Sequence, residues 1–140
     1  MIVVVDTNVI ISSFLKPFSN AGKILQMVLQ NKLKLAIDLR ILIEYEEVLK
    51  RPEFMFDKNK IYLIIKFIRR GAVFVNPLPL GNSLPDEDDN PFLEVAISAE
   101  AKYLITGNTK HFPKDFCKET KIVSPSEFLK DLNSCKLNYN

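Results

Sequence analysis

Residues 2–5 of this chain, Ile-Val-Val-Val, form a β-branched run that ends at an acid, Asp6. The run is too short for a helix and does not alternate with polar residues, so it fits a strand buried on both faces. Such strands belong to parallel sheets covered by helices on each side. The rest of the chain reads as the matching alternation of strands and helices. Asn8 to Leu15 begins a helix that Thr7 or Asn8 can cap. After a turn around residues 17–20, Ala21 to Gln30 sets Ile24, Leu25, Val28 and Leu29 on one side. Leu33, Leu35 and Ile37 mark a second strand, and Arg40 to Lys50 a helix stopped before Pro52. Lys58 to Arg70 is helical and ended by Gly71, with a third strand over Ala72 to Asn76. Pro77 to Pro85 holds three prolines and a glycine and reads as an exposed loop. Asn90 to Ala101 is a helix with Pro91 in its first turn. Tyr103 to Thr106 and Ile122–Val123 are the fourth and fifth strands. Ser124-Pro125-Ser126-Glu127 is a capping-box start for a last helix docked by Phe128, Leu129 and Leu132. The expected fold is a three-layer α/β/α sandwich with a mostly parallel central sheet of about five strands. It forms one domain over residues 1–140, with a core over 1–132 and a C-terminal tail over 133–140.

Composition narrows the functional classes. With 47% hydrophobic residues and ten Phe, the chain can close a core without disulfides and is not of the disordered type. A membrane span needs roughly 20 apolar residues in succession, and the longest candidate, Ile61 to Ile68, is broken by Lys66. Cys117 and Cys135 fall in no metal-ligand spacing and read as reduced thiols. The first residues lack the basic leader of a signal peptide, and the cytoplasm is the expected location. The net charge of +2 demands no polyanionic partner. Charge is nevertheless uneven: Lys110, Lys114, Lys118 and Lys121 gather in one stretch, and Lys58, Lys60, Lys66, Arg69 and Arg70 in another. Asp86, Glu87, Asp88 and Asp89 form an acidic knot. Most such runs are solvated faces.

In parallel α/β sheets, ligands bind outside the carboxyl ends of the strands. Asp6 stands at such an end. Asp89 immediately precedes the helix opening at Asn90, and taken alone it is better read as a cap than as a catalyst. On a helical wheel, Ile41, Leu42, Tyr45, Val48 and Leu49 form one apolar arc. Glu44 and Glu46 flank that arc, Glu47 opposes it, and periodicity leaves both flanking residues open. Carboxylates that converge repel one another unless protons or a cation relieve them. Hard oxygen ligands suit Mg²⁺ or Mn²⁺, ions that polarise phosphoryl oxygens and activate water. His111, the single histidine, reads as structural or solvent-exposed, and nothing points to zinc.

Four segments in order then carry a family resemblance: Asp6-Thr7-Asn8-Val9-Ile10; Ile43 to Leu49 with Arg51-Pro52-Glu53-Phe54; Asp86 to Leu93; and Leu104-Ile105-Thr106-Gly107-Asn108. From Met1 to about Leu132 the chain resembles PIN-domain proteins, nearest to the VapC-like toxin components of toxin–antitoxin systems. The resemblance implies a ribonuclease that uses Mg²⁺ or Mn²⁺. By position, Asp6, Glu44 and Asp89 match the family's three acids, which selects Glu44 over Glu46. Asp86 and Asp88 are candidates to share the role of Asp89. Thr7 and Asn8 match the polar pair beside the first acid, and Thr106 and Asn108 the loop after the fourth strand. Many relatives carry an aspartate where this chain has Asn108, and others an acid where it has His111, which bears on a second metal position. The implied partners are an RNA substrate, a cognate antitoxin and a second copy of the chain in a homodimer or higher assembly, with no membrane. The basic segment Lys110 to Lys121 is the better phosphate-binding candidate. Two other readings compete: a non-catalytic RNA- or protein-binding PIN-like domain whose acids only cap helices, and a phosphoacceptor receiver domain with Asp38 as acceptor.

Overall fold

A computed structural model describes residues 1–138, with side chains through Ser134. Its elements are β1 (Ile2–Val5), α1 (Thr7–Leu15), α2 (Asn20–Leu29), β2 (Lys34–Ile37), α3 (Leu39–Leu49), α4 (Lys58–Gly71), β3 (Val73–Phe74), α5 (Asn90–Ser98), β4 (Tyr103–Ile105), β5 (Lys121–Val123) and α6 (Pro125–Asn138). Helix α6 thus continues into the stretch expected as a tail, while residues 139–140 lie outside the described residues. The five strands form one sheet in the order β3-β2-β1-β4-β5, and every pairing is parallel. Val3 sits in register with Leu35 on one side and Tyr103 on the other. Val3 and Val4 are fully buried, which is what the unbroken β-branched run requires.

Right-handed crossovers place α1 to α4 on one face as the chain steps from β1 out to β3, and α5 on the other as it returns to β4. Contacts agree with this. Helix α1 packs against both α2 and α3, α3 against α4, α6 joins α2, and α5 covers β1, β2 and β4. Serine 124 and Glu127 close the expected capping box: each backbone N–H donates to the other's side chain at 3.1 Å. Phe128 is fully buried, with its ring edge-on to Tyr103 at 5.1 Å. Among the described residues, no helix is long and apolar enough to cross a membrane.

Several local expectations are corrected. Helix α1 starts one residue early, with Asp6 rather than Thr7 or Asn8 at the N-cap position, because the Thr7 hydroxyl is engaged elsewhere. Gly71 does not turn left-handed; it is the last residue of α4, and the chain leaves through extended Ala72. The third strand shrinks to Val73–Phe74. It is an edge strand paired only with β2, and Pro77 has no N–H with which to extend the ladder. Helix α5 ends at Ser98, ahead of Glu100 with φ of 52°. In the 77–85 loop, Leu84 is buried and anchors an otherwise largely exposed segment.

Two glycines in helices should respond oppositely to alanine. A Cβ on Gly22 would lie 2.0 Å from the Pro17 carbonyl oxygen, whereas a Cβ on Gly71 meets nothing within 4 Å. Helix propensity favours alanine at both. Gly71→Ala should stabilise by about 0.5–1 kcal/mol, and Gly22→Ala should destabilise by ~2 kcal/mol or more through backbone displacement. Urea unfolding midpoints check both, and equal shifts would contradict the close packing of α2 on residues 16–17.

The strand order reverses direction between β1 and β4, and the crevice expected there lies beyond Val5 and Ile105. A receiver-type sheet has the order 2-1-3-4-5, which this sheet does not. Asp38, the acceptor that reading requires, instead caps α3 by accepting from the Ile41 N–H at 3.1 Å, and it pairs with Arg40 at 2.6 Å.

Candidate active site

Four elements converge at that crevice. Asp6 leaves the end of β1 with 6% exposure, its backbone N–H still bonded to the Ile105 carbonyl at 2.9 Å. Tyr45, fully buried on α3, donates its hydroxyl to the Val5 carbonyl. That bond docks α3 against the end of β1 and brings the neighbouring Glu44 over the crevice. The Thr7 hydroxyl donates to Glu44 Oε2. Glu46 points elsewhere and pairs with Lys50 at 3.1 Å, so the structure places Glu44, not Glu46, at the cleft. From β4, the buried Thr106 hydroxyl donates to Asp6 Oδ2 at 2.8 Å and accepts the Asn108 N–H at 3.0 Å.

The result is a cleft of about 240 Å³. Asp6, Glu44, Asp86, Asp88 and Asp89 line it, together with Thr7, Asn8 and Asn108. Thr106 stands behind Asp6 rather than on the cleft wall. Larger cavities lie elsewhere, including one of about 740 Å³ beside Met55 and Tyr62, but they gather no such set of acids. Asp86 also shapes the loop, its carboxylate accepting the Asp88 N–H at 3.0 Å. Asp6 and Asp89 both occupy N-cap positions, yet neither makes a side-chain capping bond. Asp86 by contrast does cap the 3-10 turn over Glu87–Asp89, and the Thr7 and Asn8 amides at the start of α1 partly stabilise the ionised Asp6.

Sequence reasoning missed two members of the cleft. Arg51 lines it through the turn after α3, and His111 enters from a short 3-10 turn over Thr109–His111. His111 Nδ1 lies 3.1 Å from Asp89 Oδ2. The Arg51-Pro52 segment was a usable signal for Arg51, and for His111 the signal was that some PIN-domain relatives carry an acid at its position. The lysines of the Lys110 to Lys121 segment do not line the cleft; Lys121 pairs with Asp131 at 2.6 Å and Lys118 borders a different cavity. Cys117 is buried with a free thiol that donates to the Pro113 carbonyl at 3.2 Å, and burial pushes its pKa up. The Cys135 side chain lies outside the described residues.

The electrostatics are those of a crowded anionic site. Burial raises the pKa of Asp6, partly offset by the Thr106 hydroxyl and the nearby Thr7 and Asn8 amides. Burial also raises Glu44, with Asp6 and Asp88 adding to the shift, and raises Asp89, with Asp6 and Asp86 adding. Hard oxygen donors held in mutual repulsion fit a Mg²⁺- or Mn²⁺-type cation. The tightest grouping is not the three matched acids. Among the described residues, Asp86, Asp89 and His111 are the trio whose donor atoms all lie within 4.8 Å of one another.

The raised values make a signed stability prediction. A carboxyl whose pKa is higher folded than unfolded binds its proton more tightly in the folded state. Its contribution is most favourable below the unfolded pKa and is lost as pH rises through the folded one. Without divalent ions, the wild-type urea midpoint should fall relative to that of Asp6→Asn as pH rises above the ordinary aspartate value of about 3.9. Parallel pH profiles for the two proteins would contradict it.

Comparison with known proteins follows from this geometry. The sequence model of the PIN domain family matches residues 2–110. The uncharacterized protein MJ1680 of Methanocaldococcus jannaschii is 34% identical over 109 residues, covering 76% of this chain and 70% of the relative. Among solved structures, VapBC2 from Rickettsia felis, crystallised with a DNA fragment from its promoter, superposes with a TM-score of 0.57 at 15% identity. That match covers 89% of this chain and 98% of the other, and it speaks to the fold.

Proposed function

The chain belongs to the PIN domain family, and from that premise we propose that it is a divalent-metal-dependent ribonuclease acting as the toxin of a toxin–antitoxin pair. PIN domains are generally nucleases. The observation that carries the finer reading is the convergence of Asp6, Glu44 and Asp89, with Asp86 and Asp88, in one cleft where their ionised forms are disfavoured. Neither Asp6 nor Asp89 makes a geometrically formed side-chain capping bond at its helix start.

Asp6, Glu44 and Asp89 would hold Mg²⁺ or Mn²⁺, with Asp86 and Asp88 beside them. When bound, such an ion polarises a phosphoryl oxygen and lowers the pKa of water for in-line attack on phosphorus. The chain's own residues prepare that site. Thr106 orients Asp6, and Thr7 orients Glu44. Arg51 borders the cleft close enough to Glu44 to lower its pKa in part, and can engage a substrate phosphate, which positions the strand without reading its sequence. Asn8 and Asn108 offer neutral polar contacts on the cleft wall.

The superposed VapBC2 structure, an assembly bound to promoter DNA, supports a cognate antitoxin as partner. Exposed Met55, Tyr62 and Leu63 supply apolar surface for an antitoxin or for a second copy of the chain. A cytoplasmic location accompanies this reading. The test is cleavage of a broad RNA panel by purified protein with Mg²⁺, with Mn²⁺ and with EDTA. Cutting that requires the ion is the expected result. No cutting, together with no Mn²⁺ binding by calorimetry, would leave the alternative of an inactive RNA- or protein-binding domain, which Asn108 in place of an acid favours.

A further inference from the structure

We infer that His111 is a nitrogen ligand of the cleft's cation, entering with Asp86 beside Asp89, the acid it shares with the Asp6, Glu44 and Asp89 set, so that the site is mixed nitrogen–oxygen and favours transition ions over Mg²⁺. The inference rests on the metal-dependent reading above and assigns a residue that the matched acids do not include.

The geometry carries it. Donor atoms of the three side chains lie within 4.8 Å of one another. Neighbouring positions on an octahedral ion with ~2.1 Å bonds are about 3 Å apart, and His111 Nδ1 and Asp89 Oδ2 are 3.1 Å apart. That contact is a hydrogen bond, and an ion taking the place of the shared proton would find the two atoms at the spacing of adjacent ligands.

The imidazole is also held in place. Its turn begins at Asn108, whose N–H is fixed by the Thr106 hydroxyl and whose carbonyl accepts the His111 N–H at 3.0 Å. Phe112, next in the chain, is buried at 2% exposure and anchors the turn from below. Thr106 is the residue that also orients Asp6, so one hydroxyl sets the histidine wall and the first acid together. The side chain of His111 keeps 47% of its surface exposed, which leaves room for an ion and its waters. Imidazole suits the later transition ions, whereas Mg²⁺ prefers carboxylate, carbonyl and water.

Untagged protein loaded with Mn²⁺ alone tests this by pulsed electron paramagnetic resonance. His111 is the chain's single histidine, so an imidazole-nitrogen coupling has one source. The expected result is that coupling in wild type and its loss in His111→Gln, with Mn²⁺ affinity lowered ~10-fold or more and Mg²⁺ affinity changed less. Mn²⁺ bound to wild type without directly bonded nitrogen would overturn the assignment and leave the nuclease reading intact. Wild type that binds no Mn²⁺ would overturn both. The wild-type spectrum decides the point even if the variant folds poorly.

Discussion

Asp6→Asn should reduce metal-dependent RNA cleavage by ~10³-fold or more while leaving the protein folded and, without metal, more stable. The activity loss follows from position. Asp6 is the acid at the end of β1, where the strand order reverses, and Thr106 aims its carboxylate. A bound ion's stabilisation of phosphoryl charge is worth several kcal/mol; losing ~4 kcal/mol of it lowers the rate about a thousandfold. The stability gain follows from the same burial that raises the Asp6 pKa, since the variant removes a charge that the fold disfavours. Asparagine has the same shape and still accepts from the Thr106 hydroxyl. The expected gain is ~1 kcal/mol, a few degrees in Tm. Single-turnover cleavage and thermal melts in EDTA measure the two effects on one preparation. An Asp6→Asn protein that cuts as fast as wild type would remove Asp6 from the mechanism, and one that melts earlier would refute the burial argument.

The largest stability effect outside the apolar core is expected at Arg40. Its guanidinium bridges Asp38 at 2.6 Å and Glu94 at 2.8 Å, and both carboxylates are nearly buried. Glu94 also accepts the Leu80 N–H at 3.0 Å, so Arg40 joins the start of α3, the face of α5 and the 77–85 loop. Arg40→Met leaves Glu94 charged and buried without its partner. Breaking a fully buried pair costs about 3–5 kcal/mol; Arg40 is half exposed, which screens the pair and lowers the expectation to ~2–3 kcal/mol. Adding Glu94→Gln should recover part of the loss, because a neutral amide can still accept from Leu80. Urea denaturation of the two single variants and the double variant measures the coupling. Additive losses would mean that the bridge contributes no net stability.

Much of this protein is legible without coordinates. The Ile2–Val5 run identifies a buried parallel strand, and the helix faces follow from spacing: of the apolar arc on α3, Ile41, Leu42, Tyr45 and Leu49 are buried and Val48 is half-buried. The capping box at Ser124 closes as written. Element ends are less legible. Gly71 continues a helix because nothing crowds it, and β3 is cut short because it has a partner on one side only. At the site, Asp6 is legible as an acid at a strand end, whereas periodicity leaves Glu44 and Glu46 open, since both flank the same apolar arc, and only the family resemblance selects Glu44.

The sequence by itself determined the fold class, because hydrophobic periodicity is a local property of the chain, and the family resemblance offered the acids as candidates. Only the tertiary structure decided which side chains share the cleft. Tyr45 reaches 40 residues back to Val5, Thr106 reaches 100 back to Asp6, and His111 meets Asp89 across 22. Contacts at such separations depend on how strands pair and helices dock, and no local pattern encodes them. That is why His111, unremarkable as a lone loop histidine, lies against an acid of the cleft.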